Sequence, residues 1–231
     1  RLVVGSSDVY KRQELYDIVE KLAARANLPM PKVYVMNSRV PNAFATGRNP
    51  QHAAVCVTTG LMDALTAPEI AGVLGHEMSH ILHRDILVGT IAAVMAGTIS
   101  ALTRFAFWFG GGRDRDRQNP IASLLILILT PLMAMIIQLA ISRTREYMAD
   151  EAGGALCGDP DELANALEKI DLAAHRTIMA GAQESSAHMF IISPFAGKEA
   201  KSLFSTHPAT EDRIRRLREQ AERMGTRQCI V

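Results

Sequence analysis

Apolar residues along this chain change their spacing from segment to segment, and each spacing predicts an element. From Glu14 to Ala26 they fall at Leu15, Ile18, Val19, Leu22, Ala23 and Ala26, which is one face of a helix. Asn27 and Pro29 end that pattern. Lys32–Met36 alternates and is rich in β-formers, so it predicts a strand. Pro41–Gly47 and Ala53–Thr58 predict two more short strands, parted by a Gly-Arg-Asn-Pro turn signal. Thr66-Ala67-Pro68-Glu69 predicts a helix start: Thr66 can cap, Pro68 suits the first turn and Glu69 completes a capping box. The helix that follows carries Gly75-His76-Glu77-Met78-Ser79-His80 and is expected to run on into a long apolar stretch.

That stretch, Ile86 to Phe109, is interrupted only by Arg104; a second, Ile121 to Ile141, has Gln138 as its one strongly polar residue. A helix crosses the hydrocarbon core with about 20 apolar residues, so each is long enough to span a bilayer. The linker between them, Gly110 to Pro120, is glycine-rich and charged, as a turn outside a membrane should be. Pro131 falls inside the second stretch, where a membrane helix tolerates it. A polar helix is expected after Ser142, another starting at Asp159-Pro160-Asp161-Glu162, and a charged one over Pro208–Met224. Met189–Phe195 is a short apolar stretch that fits either strand or helix. Arg1–Gln13 and Thr226–Val231 show no period. With Arg1 in place of Met and no signal-peptide pattern, the chain reads as a fragment or a processed product.

Composition changes this picture little. Over 231 residues the net charge is +1, without the clustered basic surface a nucleic-acid partner calls for, and none is expected. The three cysteines, Cys56, Cys157 and Cys229, match no zinc knuckle or disulfide framework and are expected as buried or free thiols in a reducing compartment.

The chemistry lies in His76-Glu77-Met78-Ser79-His80. Histidines four apart on a helix share a face and can offer a nitrogen each, at about 2.0–2.1 Å, to one Zn²⁺. Glu77 lies about 100° around the axis, out of the metal's first coordination sphere but placed to take a proton from a water there. A catalytic zinc needs a third protein ligand. His83 is one candidate, but three histidines on one helix line up along its axis instead of surrounding a point. Glu146, in Ser142-Arg143-Thr144-Arg145-Glu146-Tyr147-Met148-Ala149-Asp150, is the better one. Asp150, one turn on, is placed to accept an N–H from a metal-bound histidine and fix its tautomer. Two crossings of a bilayer return the chain to the side it left, so His76 and Glu146 can meet. A zinc hydrolase acting on a lipid and a membrane scaffold with a structural zinc are the rival readings; a sheet edge for a peptide argues against the first, and a fourth protein ligand would favour the second.

GHEMSHILHRD, the apolar hairpin, SRTREYMAD and FSTHPATEDRI together resemble the HtpX-type heat-shock membrane metalloproteases, relatives of the CAAX prenyl proteases, over about Glu14 to Met224. The resemblance implies an α+β, mostly helical fold: a zincin-like metalloprotease domain with a small β-sheet and an inserted transmembrane helical hairpin. Residues 14–85 would form its first part, 86–141 the hairpin and 142–225 the second part. It implies one Zn²⁺ per chain on His76, His80 and Glu146, with Glu77 as general base. It also implies a substrate backbone lying along Asn42, Ala43, Phe44 and Ala45, and His207 near the developing oxyanion. The expected substrates are proteins or peptides, damaged membrane proteins among them. The expected place is the bacterial inner membrane, with several passes and the site facing the cytoplasm. The family carries two further membrane helices ahead of the catalytic domain, which this sequence does not include. No oligomeric state is specified.

Overall fold

Lys32–Met36 (β1), Ala43–Gly47 (β2) and Ala53–Thr58 (β3) form one small sheet in the order β1-β3-β2 in the computed structural model, which describes residues 6–109, 120–178, 208–225 and 229–231. β1 runs parallel to β3, with Val33 opposite Val55, and β2 runs antiparallel to it, with Ala45 opposite Val55 on the other side. β2 is therefore an edge: no strand pairs with its outer side among the described residues. Asn42 and Thr58 exchange hydrogen bonds at its start, Thr58 N donating to Asn42 O and Asn42 N to the Thr58 hydroxyl, both at 2.9 Å.

Around the sheet lie the helices Ser6–Arg25 (α1), Thr59–Ala64 (α2), Ala67–Leu82 (α3), Asp85–Phe109 (α4), Pro120–Cys157 (α5), Pro160–Ile178 (α6) and Thr210–Met224 (α7). The core joins Val19 and Leu22 of α1, Val55 and Val57 of β3, Val73 and Leu74 of α3, and Leu163 and Leu167 of α6. The capping box opens α3 as expected, with Thr66 N donating to Glu69 Oε2 at 2.8 Å. The fold is mostly helical with a small mixed sheet, as the resemblance implied.

Four readings of the sequence need correction. α1 starts at Ser6 and not near Glu14, because no Gly or Pro stands between Ser6 and Gln13 and a formed helix extends one hydrogen bond at a time. α2 was not foreseen; it is a six-residue helix capped by the Thr58 hydroxyl, too short to show a period. α3 does not run on into the apolar stretch: it ends at Leu82, and Arg84 turns the chain at φ 54° before α4 begins. Cys157 and Cys229 are joined as a disulfide, leaving Cys56 as the free, buried cysteine. The tertiary fold brings two residues 72 apart to a Cα separation of 5.3 Å, which spacing alone does not disclose.

α4 and α5 pack on each other as a hairpin whose apolar surfaces face outward; both are long and apolar enough to cross a membrane. Gln138 Nε2 of α5 donates to the Ala92 carbonyl of α4 at 3.4 Å between them. α5 continues past Ser142 without a break. Ile137 is 55% exposed, whereas Ala149 and Asp150 on the same helix are 0% and 3% exposed, so the helix passes from an apolar surround into the protein interior. The linker of residues 110–119 and the Met189–Phe195 stretch lie outside the described residues.

Candidate metal centre

His76 and His80 project from one face of α3, as four-residue spacing requires. Their Nε2 atoms lie 3.1 Å apart. Glu146 comes in from α5, with Oε2 3.8 Å from His76 Nε2 and Oε1 3.8 Å from His80 Nε2. Donor atoms around a tetrahedral ion at about 2.1 Å stand roughly 3.4 Å from one another, so these three side chains fit one metal ion. They form the one cluster of its kind among the described residues, and His83 is not in it.

Close approach of α3 and α5 makes this meeting possible. A Cβ on Gly75 would lie 2.6 Å from the Gly153 carbonyl oxygen, and a Cβ on Gly153 would lie 2.5 Å from His76 N. Only two glycines let the helices touch backbone to backbone at this crossing. Ser79 Oγ donates to the Ala149 carbonyl at 3.3 Å one turn further on.

Each histidine is backed by a carboxylate, and each carboxylate by an arginine. His76 Nδ1 lies 2.9 Å from Asp150 Oδ1, a close approach not well directed for a hydrogen bond. Asp150 in turn takes both forks of Arg213, Nε to Oδ2 at 2.8 Å and Nη2 to Oδ1 at 2.7 Å. His80 Nδ1 is hydrogen-bonded to Asp85 Oδ2 at 2.7 Å, and Asp85 Oδ1 accepts from Arg145 Nη1. Burial would drive the Asp150 carboxyl up, but the Arg213 charge and its hydrogen bonds prevail and hold it below the usual carboxylate range. Burial works against an imidazolium at His80 as well, yet the bond to Asp85 and the charges of Glu77 and Glu146 raise its pKa. Two imidazole nitrogens at 3.1 Å are at hydrogen-bond distance, one ring offering a hydrogen to the other's lone pair. A metal ion occupies the same place by displacing that proton.

Glu77 is 7% exposed and faces β2, where its Oε2 accepts the backbone N–H of Ala45 at 2.8 Å. That bond shows which way β2 points. Since residues alternate along an antiparallel pair, Ala43, Ala45 and Gly47 turn their backbone polar groups outward, while Asn42, Phe44 and Thr46 turn theirs to β3. Ala45 thus lies against Glu77 through the outer edge of β2, while Asn42 is tied to Thr58 of the sheet. His207 lies outside the described residues.

A model of peptidase family M48 matches residues 10–221. The chain belongs to peptidase family M48. This M48 peptidase is 55% identical over 208 residues to a protease HtpX homolog of Syntrophotalea carbinolica, covering 88% of this chain and 75% of that one. It is 52% identical over 223 residues to a protease HtpX homolog of Thermococcus kodakarensis, covering 94% and 77%. Its fold is similar to the crystal structure of S. mikatae Ste24p, with a TM-score of 0.55 and 22% identity, over 88% of this chain and 49% of that chain. With its two apolar helices, this M48 peptidase is a membrane metalloprotease that hydrolyses peptide bonds.

Reading the sequence did not pick out Asp85, Arg145, Arg213 or the Ala45 N–H as parts of this centre. Asp85 stands five residues after His80, where an unbroken helix would carry it to another face. Arg213 gave one signal: it stands four residues before Leu217, on the apolar face of its helix, and the structure shows it 1% exposed.

Proposed function

We propose that this M48 peptidase is a zinc-dependent endopeptidase in which His76, His80 and Glu146 hold one Zn²⁺ per chain. The observation that carries this is the convergence of two Nε2 atoms and a carboxylate on one point, with a second, buried carboxylate, Glu77, directed by the sheet edge. Zinc bound there supplies Lewis acidity to a water molecule and to the scissile carbonyl. Glu77 takes the water's proton and passes it to the leaving amine, the Ala45 N–H keeping its carboxylate aimed meanwhile. Asp150 and Arg213 hold the imidazole of His76 in place from behind. A substrate segment adds to the outer edge of β2, with the outward N–H and C=O of Ala43 and the C=O of Ala45 meeting its backbone, the Ala45 N–H staying with Glu77, and Asn42 and Phe44 shaping the rim. His207, by the family resemblance, serves the developing oxyanion.

The division of the chain follows the same reading. Residues 14–85 and 142–225 form one metalloprotease unit, and 86–141 is a hairpin inserted in the membrane. By the family resemblance, we infer quality control of damaged membrane proteins as the role, in the bacterial inner membrane with the site facing the cytoplasm.

Zinc content and casein cleavage, measured side by side on detergent-purified wild type and Glu77→Gln, test the reading. About one zinc in each with cleavage lost from the variant, a drop of about 10²-fold or more, is the expected result. Equal cleavage by both would remove Glu77 from the base role, and no zinc in either would overturn the ligand set.

A further inference from the structure

The two arginine-backed carboxylates at this centre do not sit alike. Asp150 and Arg213 lie in the protein interior, on α5 and α7. Asp85 and Arg145 lie at the mouth of the apolar hairpin. Asp85 is the first residue of α4, at the entrance to the first span, and Arg145 stands on α5 after the second span, one residue before Glu146. The pair ties the two legs together at the point where both reach the metal cluster.

The backbone has been bent to achieve this. In an unbroken helix, a residue five positions after His80 would lie roughly 140° around the axis and could not reach its ring. α3 stops at Leu82, and Arg84 takes φ 54°, a left-handed value uncommon for a residue with a Cβ. The turn folds Asp85 back beneath His80, with Oδ2 2.7 Å from Nδ1 and the carboxylate 12% exposed. The other oxygen, Oδ1, takes Arg145, whose side chain is 18% exposed. Asp85 thus has one oxygen for the histidine and one for the guanidinium, and its rotation is fixed from both sides.

Resting on the zinc reading above, we propose that Asp85 and Arg145 are a positioning couple: Asp85 orients the His80 imidazole towards the metal, and Arg145 locks Asp85 by joining the two membrane-spanning legs. The metal centre is then formed only while the ends of α4 and α5 stay together. Asp85 acts through His80 and Arg145 through Asp85; neither touches substrate.

The test uses the detergent-purified chain as wild type, Asp85→Asn, Arg145→Gln and the double variant. Zinc affinity is measured by competition with a fluorescent zinc chelator. Melting temperature is measured on the metal-stripped proteins, and the visible absorption of the Co²⁺-loaded proteins is recorded. Asp85→Asn is expected to weaken zinc by about 10–100-fold and to shift the Co²⁺ bands, with any fall in metal-free stability much smaller than that loss. Arg145→Gln is expected to weaken zinc by about two- to fivefold, the size of a partly exposed ion pair. The double variant is expected to match Asp85→Asn, because Arg145 works only through Asp85. Wild-type affinity and an unshifted Co²⁺ spectrum in Asp85→Asn would overturn the proposal. So would a loss of affinity matched by an equal fall in metal-free stability, which would make the residue a purely structural one. If Asp85→Asn does not fold, Arg145→Gln decides, and unchanged affinity in it overturns the couple. Wild type without zinc overturns the metal reading itself, whereas zinc-loaded wild type with unaffected variants overturns the couple alone.

Discussion

Gly153 packs against the backbone of His76 so closely that a Cβ on it would lie 2.5 Å from the His76 nitrogen. The contact brings α5, which carries Glu146, onto α3, which carries both histidines. It makes the metal cluster a property of one helix crossing.

Gly153→Ala is therefore expected to push the two helices apart. The neighbours are backbone atoms, which cannot rotate away, so the loss of stability should be about 1–3 kcal/mol or more. Thermal denaturation followed by circular dichroism, with zinc content on the same samples, measures it. A melting temperature and zinc content equal to wild type would show that the crossing has slack.

The hydrogen bond from Ala45 N to Glu77 Oε2 is open to a backbone experiment. Ala45→Pro removes that donor, and because the N–H points away from β3, no bond of the sheet is lost with it. The variant should keep its fold and its metal and cleave more slowly by about tenfold or more, the worth of a hydrogen bond to a charged group. Cleavage of casein at the wild-type rate would mean that Glu77 needs no aim from the strand.

Arg213 and Asp150 make a pH-dependent prediction in the metal-free protein. Asp150 is held below its ordinary value of 3.8, so the stability it contributes is fully present above that pH and is lost as pH falls below it. Metal-stripped wild type should lose melting temperature steeply below about pH 4, and Asp150→Asn less steeply. Arg213→Met leaves a buried carboxylate without its partner and should cost about 3–5 kcal/mol at neutral pH. That cost should shrink on acidification, as the stranded carboxyl takes up a proton. Parallel melting curves across pH for all three proteins would disprove the linkage.

The ligand set separates by mutation. Glu146→Ala should lose zinc, while His83→Ala should keep it, since His83 lies outside the cluster that converges on one point. Metal analysis after dialysis against a weak chelator reads the difference, and the reverse pattern would exchange the two residues.

Local spacing was enough to say which side chains share one face of a helix or strand, though not where α1 starts, that α2 exists or where α3 ends. His76 and His80 share a face because they are four apart, and Glu77 is turned aside because it is one further on. Thr66 and Glu69 cap α3, and the two apolar stretches are long enough to cross a membrane. The pairing of Glu146 with the histidines was within reach because two crossings return the chain to its starting side.

What the sequence did not determine are the contacts between elements remote along the chain. Asp85 with Arg145, 60 residues apart, Asp150 with Arg213, 63 apart, and Ala45 with Glu77, 32 apart, carry no period that reading could detect. Even Asp85, five residues from His80, reaches it only because Arg84 breaks the helix. Periodicity reports which side chains lie on one face of one element. Which face meets which is set by packing, here by two glycines that let α3 and α5 close on each other, and only the tertiary structure contains that choice.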